Sequence, residues 1–382
     1  MATVERTCVR KYGRGWRAVA VVGGRQRTRK LSATGIRAAR AEAREWAASI
    51  ESEETDEKRA QAASQGGRGV CEYIEAGIGH MLASGSIERS TYLDYRNSLG
   101  RIRRCLGGVA LADLTPQMVR GMEVKLAKDG LSASAVRKAH GLLKQMCSMA
   151  VCDGIIGRNP ADAVKKPKNV KTNHGSNSMA SSERARLLDA LAAEPDTPTS
   201  VAARVSLWTG LRRGEVCGLR WADVDWDGRL IWVRRAIGFG AGGHYVKMSK
   251  TDSVRSVAMP KDLSQLLSLW HTQQGCPKVS TYVLSGTSEF YDPQLAGKHW
   301  REISDRLDLT GTEGRRVTFH DLRHTWATMA VAAGVDIKTV ASNLGHANAA
   351  MTLNIYASAD PDAKRRAADV IQLAMRGTPP AE

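Results

Sequence analysis

Three successive patterns of apolar and polar positions divide the chain into three regions. In the first region, alternation over 16–22 and again over 25–31 predicts two paired strands, and apolar positions at helical spacing follow over 36–50. We expect a three-stranded sheet with one helix, forming a domain over 1–55. The arginines of the second strand alternate, so we expect them on one face of the sheet and the helix on the other.

Helical spacing continues through the second region, from 69 to 165. Thr115 and Pro116 have the residue types of a helix cap and a first helical position, and Ser132 opens another helix. The region is predicted to be a compact all-α domain of about four helices. One of these helices carries an apolar stripe made of Tyr92, Tyr95, Leu99, Ile102 and Leu106.

The third region, 179–376, mixes helical and β segments after a basic connector over 165–178. It is predicted to be an α+β domain, so the fold class is multidomain and mainly α with small β-sheets. Lys250 is expected on a tight turn between the last two of three strands. The predicted strands lie at 230–237, 244–248 and 255–259, with a glycine-rich loop over 238–243. The predicted helices lie at 181–193, 199–209, 261–271, 292–307 and 318–333, and Asp336 caps a further one.

The stretch Thr318–Thr325 has the pattern of a helix start. Thr318 can cap the helix, and Asp321 three residues later completes a capping box. His320 and Arg323 share a face near the positive N-terminus, which favours binding of a phosphate. An ordinary solvated helix surface is the alternative. The opposite, buried face is predicted to carry Leu322, Trp326, Met329 and Ala333.

Composition favours a polyanionic partner. The 382 residues contain 56 Lys and Arg against 39 Asp and Glu, which gives a net charge of +17 and a pI near 9.8. DNA or RNA fits this excess best, and an anionic membrane surface fits second. No apolar run reaches the length of a membrane span, so no membrane association is expected. Seven scattered cysteines without a Cys-x-x-Cys pair indicate free thiols in a reducing cytoplasm.

The basic charge is concentrated at the N-terminus, where residues 1–50 hold twelve Lys and Arg against three Glu. We interpret this sheet as a DNA-binding surface, although a small domain with a solvated basic face is the alternative. Helix surface residues further along the chain are weaker candidates, because solvation explains them almost as well. The candidate DNA contacts are Arg25, Arg27, Arg29, Lys30, Arg137, Lys138, Lys165 and Lys166.

Several short motifs stand in order along the third region: Thr209-Gly-Leu-Arg212-x-Gly-Glu215, Lys250-Thr251, His320-x-Leu-Arg323-His324, Leu344-Gly-His346 and Tyr356. Six positions in these motifs, in this order, resemble those of tyrosine recombinases, the phage integrase family. Upstream, Asp113-Leu-Thr-Pro116 and Gly154-Ile-Ile-x-Arg-Asn-Pro160 resemble the helical core-binding domain of that family. The basic sheet and helix resemble the arm-binding domain of integrases from temperate phages and conjugative transposons.

This resemblance implies the roles of the site residues. Tyr356 would attack a DNA phosphodiester, Arg212 and Arg323 would bind its non-bridging oxygens, and Lys250 would protonate the leaving 5′-oxygen. His320 would assist proton transfer and His346 would hydrogen-bond the phosphate. Glu215 would orient its neighbours, and His324 would have a packing or supporting role. The expected reaction needs no cofactor, metal or ATP. His320 and His324 are spaced as zinc ligands are, but the glutamate of a His-Glu-x-x-His motif is absent.

The leading hypothesis is an integrase that inserts and excises a mobile element. The implied partners are double-stranded DNA at core-type and arm-type sites, an excisionase, a host DNA-bending protein and further copies of the chain in a tetramer. Apolar residues of the C-terminal helix would dock it on the neighbouring protomer: Val370, Ile371 and Met375. The alternatives are a stand-alone resolvase or invertase and a non-catalytic DNA-binding regulator.

Overall fold

The chain folds into two compact units, Met1–Val170 and Lys171–Glu382. Small antiparallel sheets and many helices make it a multidomain, mainly α protein, as predicted. No helix among the described residues is long and apolar enough to cross a membrane. The computed structural model describes residues 6–13, 15–22, 25–50, 67–167, 176–248 and 254–345, with Gln372 and Met375.

The first unit begins with the predicted three-stranded sheet and helix. The strands are β1 (Arg6–Tyr12), β2 (Gly15–Val22) and β3 (Arg25–Leu31), paired antiparallel in that order. The helix, α1, covers 36–50. Ala18 of β2 packs with Ala39 and Ala43 of α1, and none of the three is more than 1% exposed. These small side chains let helix and sheet approach closely.

The helix lies on the same side of the sheet as Arg27 and Arg29, so the expectation that it covers the other side is wrong. Residues directly opposed in an antiparallel pair share a face. Arg29 is opposite Ala18 and Arg27 is opposite Ala20. Both alanines are fully buried in the clusters that include residues of α1. Because β3 is an edge strand, the long arginine side chains still reach solvent.

Four helices follow between residues 67 and 167, as predicted for the all-α region. They are α2 (Val70–Ala83), α3 (Arg89–Leu106), α4 (Pro116–Lys128) and α5 (Ala133–Cys152). Thr115 accepts a hydrogen bond from Met118 N at 3.3 Å, and Ser132 accepts one from Ala135 N at 3.3 Å. Both predicted caps are confirmed. The apolar residues of the four helices form one continuous core.

Helices dominate the second unit as well. They are α6 (Ser181–Ala193), α7 (Pro198–Thr209), α8 (Arg213–Cys217), α9 (Lys261–Gln273), α10 (Pro293–Arg306), α11 (Phe319–Ala332) and α12 (Ile337–Leu344). Asp336 caps α12 by accepting from Thr339 N at 2.9 Å, and Gly345 ends it in the left-handed conformation. The helices predicted between residues 181 and 344 are therefore present, within a few residues of their expected ends. The predicted C-terminal helix with Val370 and Ile371 lies almost entirely outside the described residues.

The β segments of this unit pair differently from the prediction. A three-stranded sheet has the order β4-β5-β8, formed by β4 (Val224–Asp225), β5 (Leu230–Val233) and β8 (Arg255–Ala258). A separate hairpin is formed by β6 (Arg235–Gly240) and β7 (Gly243–Met248). The single strand expected over 230–237 is thus two strands. The turn expected around Lys250 lies outside the described residues, and the strands before and after it belong to different sheets.

The glycines expected to form a loop over 238–243 lie largely inside the hairpin. A Cβ at Gly238 would be 2.9 Å from the ring of Tyr245, its partner across the hairpin, so the glycine leaves room for that ring. Gly242 and Gly243 have φ of 86° and 97° and make the tight turn. The glycine composition predicted a loop over 238–243, whereas the contacts of Gly238 show close packing between the two strands.

The connector predicted over 165–178 ends earlier than expected. Asn177 is 1% exposed, donates to Arg315 O at 2.7 Å and accepts from Glu313 N at 2.9 Å. Its side chain satisfies backbone groups of the turn before α11, and Ser178 is buried beside it. A short polar side chain that bonds a distant turn gives no periodic signal in the sequence.

Candidate active site

The turn between α7 and α8 places Arg212 and Glu215 together. Gly210 caps the C-terminus of α7; its φ is 70°, and a Cβ there would lie 2.8 Å from the Trp326 ring. Arg212 directly precedes α8, and its backbone N donates to Glu215 Oε2 at 2.9 Å. Its Nη1 donates to Glu215 Oε1, also at 2.9 Å. The side chain of Arg212 remains 40% exposed, so it is open to a ligand.

Arg323 connects this turn to the end of α12. Its Nη1 donates to Gly210 O and its Nη2 to Leu344 O, both at 2.7 Å. The residue is only 3% exposed. Burial and the nearby Arg212 lower the pKa of Arg323 to about 9, which leaves it charged at neutral pH. The site therefore concentrates positive charge, a suitable setting for an anion.

The buried face of α11 differs in part from the predicted apolar stripe. Leu322 is buried, but Met329 is 38% exposed and Ala333 is exposed. The polar Asp321 and Thr325 are buried in their place, because each forms hydrogen bonds. Asp321 accepts from Thr318 N and Oγ1 at 2.7 Å, as the predicted helix start requires, and Thr325 Oγ1 accepts from Met179 N at 2.9 Å. Arg323 is also on this buried side, whereas His320 is exposed.

Arg255 is a further member of the cluster, and the sequence patterns did not single it out. It is the first residue of β8, and its Nη1 and Nη2 donate to the two carboxylate oxygens of Glu215 at 3.1 Å and 2.8 Å. Its Nε donates to Asn343 O at 2.8 Å. Burial alone would raise the pKa of Glu215, but the hydrogen bonds and charges of Arg255 and Arg212 hold it below its ordinary value. Glu215 is therefore a carboxylate shared by two guanidinium groups.

His320 and His324 are stacked edge to face, with ring centroids 4.7 Å apart. The pKa of His320 is lowered to about 4, mainly because the ring is partly desolvated and also because of the charges of His324 and Arg323. Desolvation also lowers the pKa of His324, whose buried Nδ1 has no hydrogen-bond partner within the described part of the chain. Both imidazoles are thus neutral near neutral pH, and the exposed His320 can accept a proton.

The remaining candidates for the reaction lie outside the described residues. They are Lys250, His346 and Tyr356. Helix α12 and Gly345 lead directly to His346 along the chain. No group of three or more His, Cys, Asp or Glu that could hold a metal ion occurs within the described residues.

Most of the candidate DNA contacts whose side chains the structure describes are exposed. Arg27, Arg29, Lys30, Lys165 and Lys166 are exposed. Lys138 is exposed as well and pairs with Asp94 at 3.1 Å, whereas the half-buried Arg137 donates to Pro167 O at 2.8 Å. The structure does not describe the side chain of Arg25.

The sheet face opposite α1 carries a basic row that the sequence analysis missed apart from Lys30. Arg10 is directly opposite Arg17, and Arg17 is directly opposite Lys30, so three cations lie side by side across the strands. Arg17 also stacks on the exposed ring of Tyr12, 3.9 Å from its centroid. Like charges directly opposed destabilise a sheet. We call Arg10, Arg17 and Lys30 the open-face row.

Comparison with known proteins places these features in a family context. Residues 177–362 match the model of the phage integrase family. The chain is 25% identical over 313 residues to the "Tyrosine recombinase XerC-like" of Caldanaerobacter subterraneus subsp. tengcongensis, covering 74% of this chain and 77% of that protein. It is 27% identical over 260 residues to the integrase of Mycobacterium phage L5, covering 66% of each chain.

Solved structures show the same fold. The Tn1549 transposon integrase in complex with transposon right end DNA superposes with a TM-score of 0.65 at 24% identity, covering 80% of this chain and 99% of that one. A lambda integrase dimer bound to a COC' core site superposes with a TM-score of 0.59 at 19% identity, covering 92% and 95%. The structural similarity to lambda integrase therefore extends over nearly the whole chain.

Proposed function

The chain belongs to the phage integrase family of tyrosine recombinases, and from this premise we propose how its residues exchange DNA strands. It is a site-specific DNA recombinase of the integrase type, which cleaves and rejoins DNA through a 3′-phosphotyrosyl intermediate. The observation that carries the assignment of residues is the meeting of Arg212, Arg323 and His320 beside Glu215. The pair Arg212 and Glu215 is far in sequence from the pair His320 and Arg323, and these residues have the types that phosphoryl transfer requires.

We assign Tyr356 as the nucleophile. Its oxygen attacks the phosphorus, a phosphotyrosyl bond forms at the 3′ end, and the bond to the 5′-oxygen breaks. Lys250 gives a proton to that oxygen, and the 5′-hydroxyl leaves. A 5′-hydroxyl from the partner strand then attacks the phosphotyrosyl bond and releases Tyr356. Because the intermediate conserves the energy of the broken phosphodiester, the rejoining step needs no nucleotide.

Arg212 and Arg323 stabilise the charge that develops on the non-bridging oxygens. Arg212 is the more accessible of the two, and its bond to Gly345 O at 3.2 Å is long enough to exchange for a phosphate oxygen. Arg323 uses two of the five N–H donors of a guanidinium on backbone carbonyls, which leaves others for the phosphate. Charge-assisted bonds to phosphate are stronger than bonds to carbonyl groups.

The neutral imidazole of His320 accepts the proton that Tyr356 loses on attack. The low pKa of His320, about 4, keeps it unprotonated before DNA binds. The phosphate of the DNA then adds negative charge nearby and raises its proton affinity. His346 donates a hydrogen bond to the scissile phosphate. Glu215 orients Arg212, and His324 supports the ring of His320 by packing.

The three regions take separate parts in DNA recognition. We assign 1–55 to arm-type sites, 69–165 to core-type sites and 179–376 to catalysis. Within 1–55, the open-face row is a better DNA surface than Arg27 and Arg29, since α1 lies on the side of those two arginines. Three directly opposed cations are unfavourable unless a polyanion neutralises them.

Assembly follows from the reaction, because exchange between two duplexes needs four cleavages. We propose a tetramer in which the C-terminal helix of each protomer docks on its neighbour. The Met375 side chain is 85% exposed in the single chain, which supports docking in trans. An excisionase and a host DNA-bending protein are the expected accessory partners, and the expected location is the cytoplasm, on nucleoid DNA. The basic region 1–55 favours an integrase over a stand-alone resolvase or invertase.

A suicide-substrate assay tests this proposal. Nicked duplexes from the ends of the element are incubated with wild type, Tyr356→Phe and the matched control Tyr245→Phe, in EDTA and without nucleotide. We expect a covalent protein–DNA adduct with wild type and Tyr245→Phe and none with Tyr356→Phe, while all three bind DNA. Tight binding without an adduct in wild type would favour the regulator hypothesis. An adduct that persists in Tyr356→Phe would show that another residue is the nucleophile.

A further inference from the structure

Three consecutive carbonyls at the end of α12 each accept a hydrogen bond from a different arginine. Arg255 binds Asn343 O at 2.8 Å, Arg323 binds Leu344 O at 2.7 Å and Arg212 binds Gly345 O at 3.2 Å. The C-terminus of a helix is its negative end, so cations are favourable there. The next residue along the chain is His346. The arginine set therefore fixes the point from which the chain leaves toward the rest of the site.

Arg255 is the only one of these three arginines that the catalytic assignment leaves without a role. Its side chain is 13% exposed, compared with 40% for Arg212. Every guanidinium nitrogen of Arg255 donates within the protein: two to Glu215 and one to Asn343 O. A Cβ on Gly345 would lie 2.9 Å from Arg255 Nη1, so the guanidinium also packs against the backbone there. Arg255 is directed to protein groups and away from a ligand.

The contacts of Glu215 show what Arg255 does for Arg212. Glu215 Oε1 accepts from the side chains of both Arg212 and Arg255, at 2.9 Å and 3.1 Å. A carboxylate paired with Arg212 alone would neutralise much of the charge that Arg212 needs for a phosphate. A second guanidinium on the same carboxylate reduces that neutralisation and holds the carboxylate in a fixed, bidentate geometry.

We propose that Arg255 is a positioning residue of the recombinase: it holds Glu215 and the end of α12, and through them it orients Arg212 and the chain entering His346. This inference rests on the proposed role of Arg212 as a phosphate ligand. Arg255 itself does not touch the DNA. Its effect should fall on the rate of the chemical step and leave DNA affinity unchanged, because misplacement by about 1 Å slows a reaction by about 100-fold.

The test compares Arg255→Lys with Arg204→Lys in the full chain. Arg204 is a matched control, since its side chain is 14% exposed and binds a carboxylate, Asp196, and a backbone carbonyl, Leu191 O, away from the site. Lysine keeps the charge at either position but loses the two-pronged geometry. The measurements are the single-turnover rate of adduct formation on a nicked duplex, its amplitude and the dissociation constant for the same DNA. The rate reports chemistry, and the amplitude reports the folded fraction.

We expect Arg255→Lys to slow adduct formation by about 10- to 100-fold with an unchanged dissociation constant. Arg204→Lys should change the amplitude alone. A wild-type rate in Arg255→Lys would overturn the inference, and so would an equal slowing in both variants. If wild type forms no adduct, or if Arg212→Lys has no effect on its rate, the proposed function itself fails, which is a separate result.

A second variant covers the case in which Arg255→Lys does not fold. The double variant Arg255→Gln/Glu215→Gln removes both charges of the pair, so no buried charge is left without its partner. Its adduct should form at least about tenfold more slowly than in wild type at normal DNA affinity, because neither Arg212 nor the end of α12 is held. A wild-type rate in this double variant would refute the positioning role.

Discussion

The carboxylate of Glu215 organises the site at the scale of single residues. Arg212 and Arg255 both donate hydrogen bonds to it, and Arg323 interacts with it electrostatically. Three guanidinium groups thus surround one carboxylate, and the surplus positive charge is a consequence of the fold rather than of a solvated surface. Buried charge of one sign is costly unless an opposite charge arrives. We propose that the DNA phosphate supplies that charge.

The motif residues of this cluster were predictable from sequence, whereas Arg255 was not. Arg212, Glu215 and Arg323 stand in short motifs with fixed spacing, and a motif can be found without knowing the fold. The role of Arg255 depends on Asn343, which is 88 residues away and comes close only in the folded chain. The predicted burial of Met329 was wrong for a related reason, since Thr325, which accepts a hydrogen bond from Met179 N, is buried in its place.

Gly210 is the glycine of the site that should be least replaceable. Its φ of 70° is unfavourable for other residues, and a Cβ there would approach the Trp326 ring to 2.8 Å. We expect Gly210→Ala to lower the free energy of unfolding by about 1–3 kcal/mol, measured by urea denaturation. Gly79→Ala is the control, because Gly79 lies inside α2 with no atom within 4 Å of the added Cβ. It should stabilise α2 by about 1 kcal/mol. Equal effects of the two substitutions would contradict this account.

The partly desolvated rings of His320 and His324 predict a pH dependence of stability. The pKa of His320 is lowered from 6.5 to about 4, so the unfolded chain binds this proton more readily than the folded chain. Stability contributed by neutral His320 is present above pH 6.5 and is lost as the pH falls toward 4. Desolvation of His324 acts in the same direction. The pKa of Glu215 is lowered from its ordinary value of 4.5, so the stability that its carboxylate contributes is lost only below pH 4.5.

Urea denaturation at several pH values between 6.5 and 4.5, the interval above the ordinary pKa of a glutamate, isolates the histidine contribution. We expect the denaturation midpoint of wild type to fall across this interval, and that of His320→Gln to fall less. The exposed His80 of α2 provides the control variant His80→Gln, which should behave as wild type. If His320→Gln and wild type lose stability in parallel, the ring of His320 is not desolvated as described.

At the scale of elements, local sequence patterns predicted the positions of the helices, but they did not predict which strands pair. Caps such as Thr115 and Ser132 act within one turn, and a window of a few residues contains them. The partner of β8 is β5, which lies across the β6–β7 hairpin in sequence. Alternation in β3 showed correctly that Arg27 and Arg29 share a face, but it did not show which face α1 covers. That choice depends on Ala18 and Ala20 in another strand.

The two faces of the N-terminal sheet give opposed predictions for arm-site binding. We expect the triple variant Arg10→Gln/Arg17→Gln/Lys30→Gln to weaken binding to arm-type DNA by about tenfold or more, because the open-face row loses three phosphate contacts. The control, Arg27→Gln/Arg29→Gln, removes exposed arginines from the side that carries α1 and should have the smaller effect. The measurement is a fluorescence anisotropy titration at fixed salt. A larger loss in the control would restore our first assignment of the DNA-binding face.

For the whole molecule, charge and sequence order favour separate functions for the regions: DNA binding by the basic N-terminal region and catalysis by the later one. Residues 1–50 contain twelve of the 56 Lys and Arg but only three of the 39 Asp and Glu. The catalytic assignments, by contrast, all lie beyond residue 208. If the basic N-terminal region serves arm-type sites alone, it adds phosphate contacts to binding without taking part in the chemistry. Affinity for extended DNA and cleavage at the core should then be separable.

Deletion of residues 1–55 tests this separation through salt dependence. Each phosphate neutralised by Lys or Arg steepens the plot of log affinity against log salt by about 0.9. Loss of the open-face row should therefore reduce the slope by about 3 on DNA that carries arm-type and core-type sites. On core-site DNA alone, the deleted and full-length chains should share one slope and one rate of adduct formation. Loss of core-site cleavage on deletion would mean that residues 1–55 act at the core-type site and are not a separate domain for binding arm-type sites.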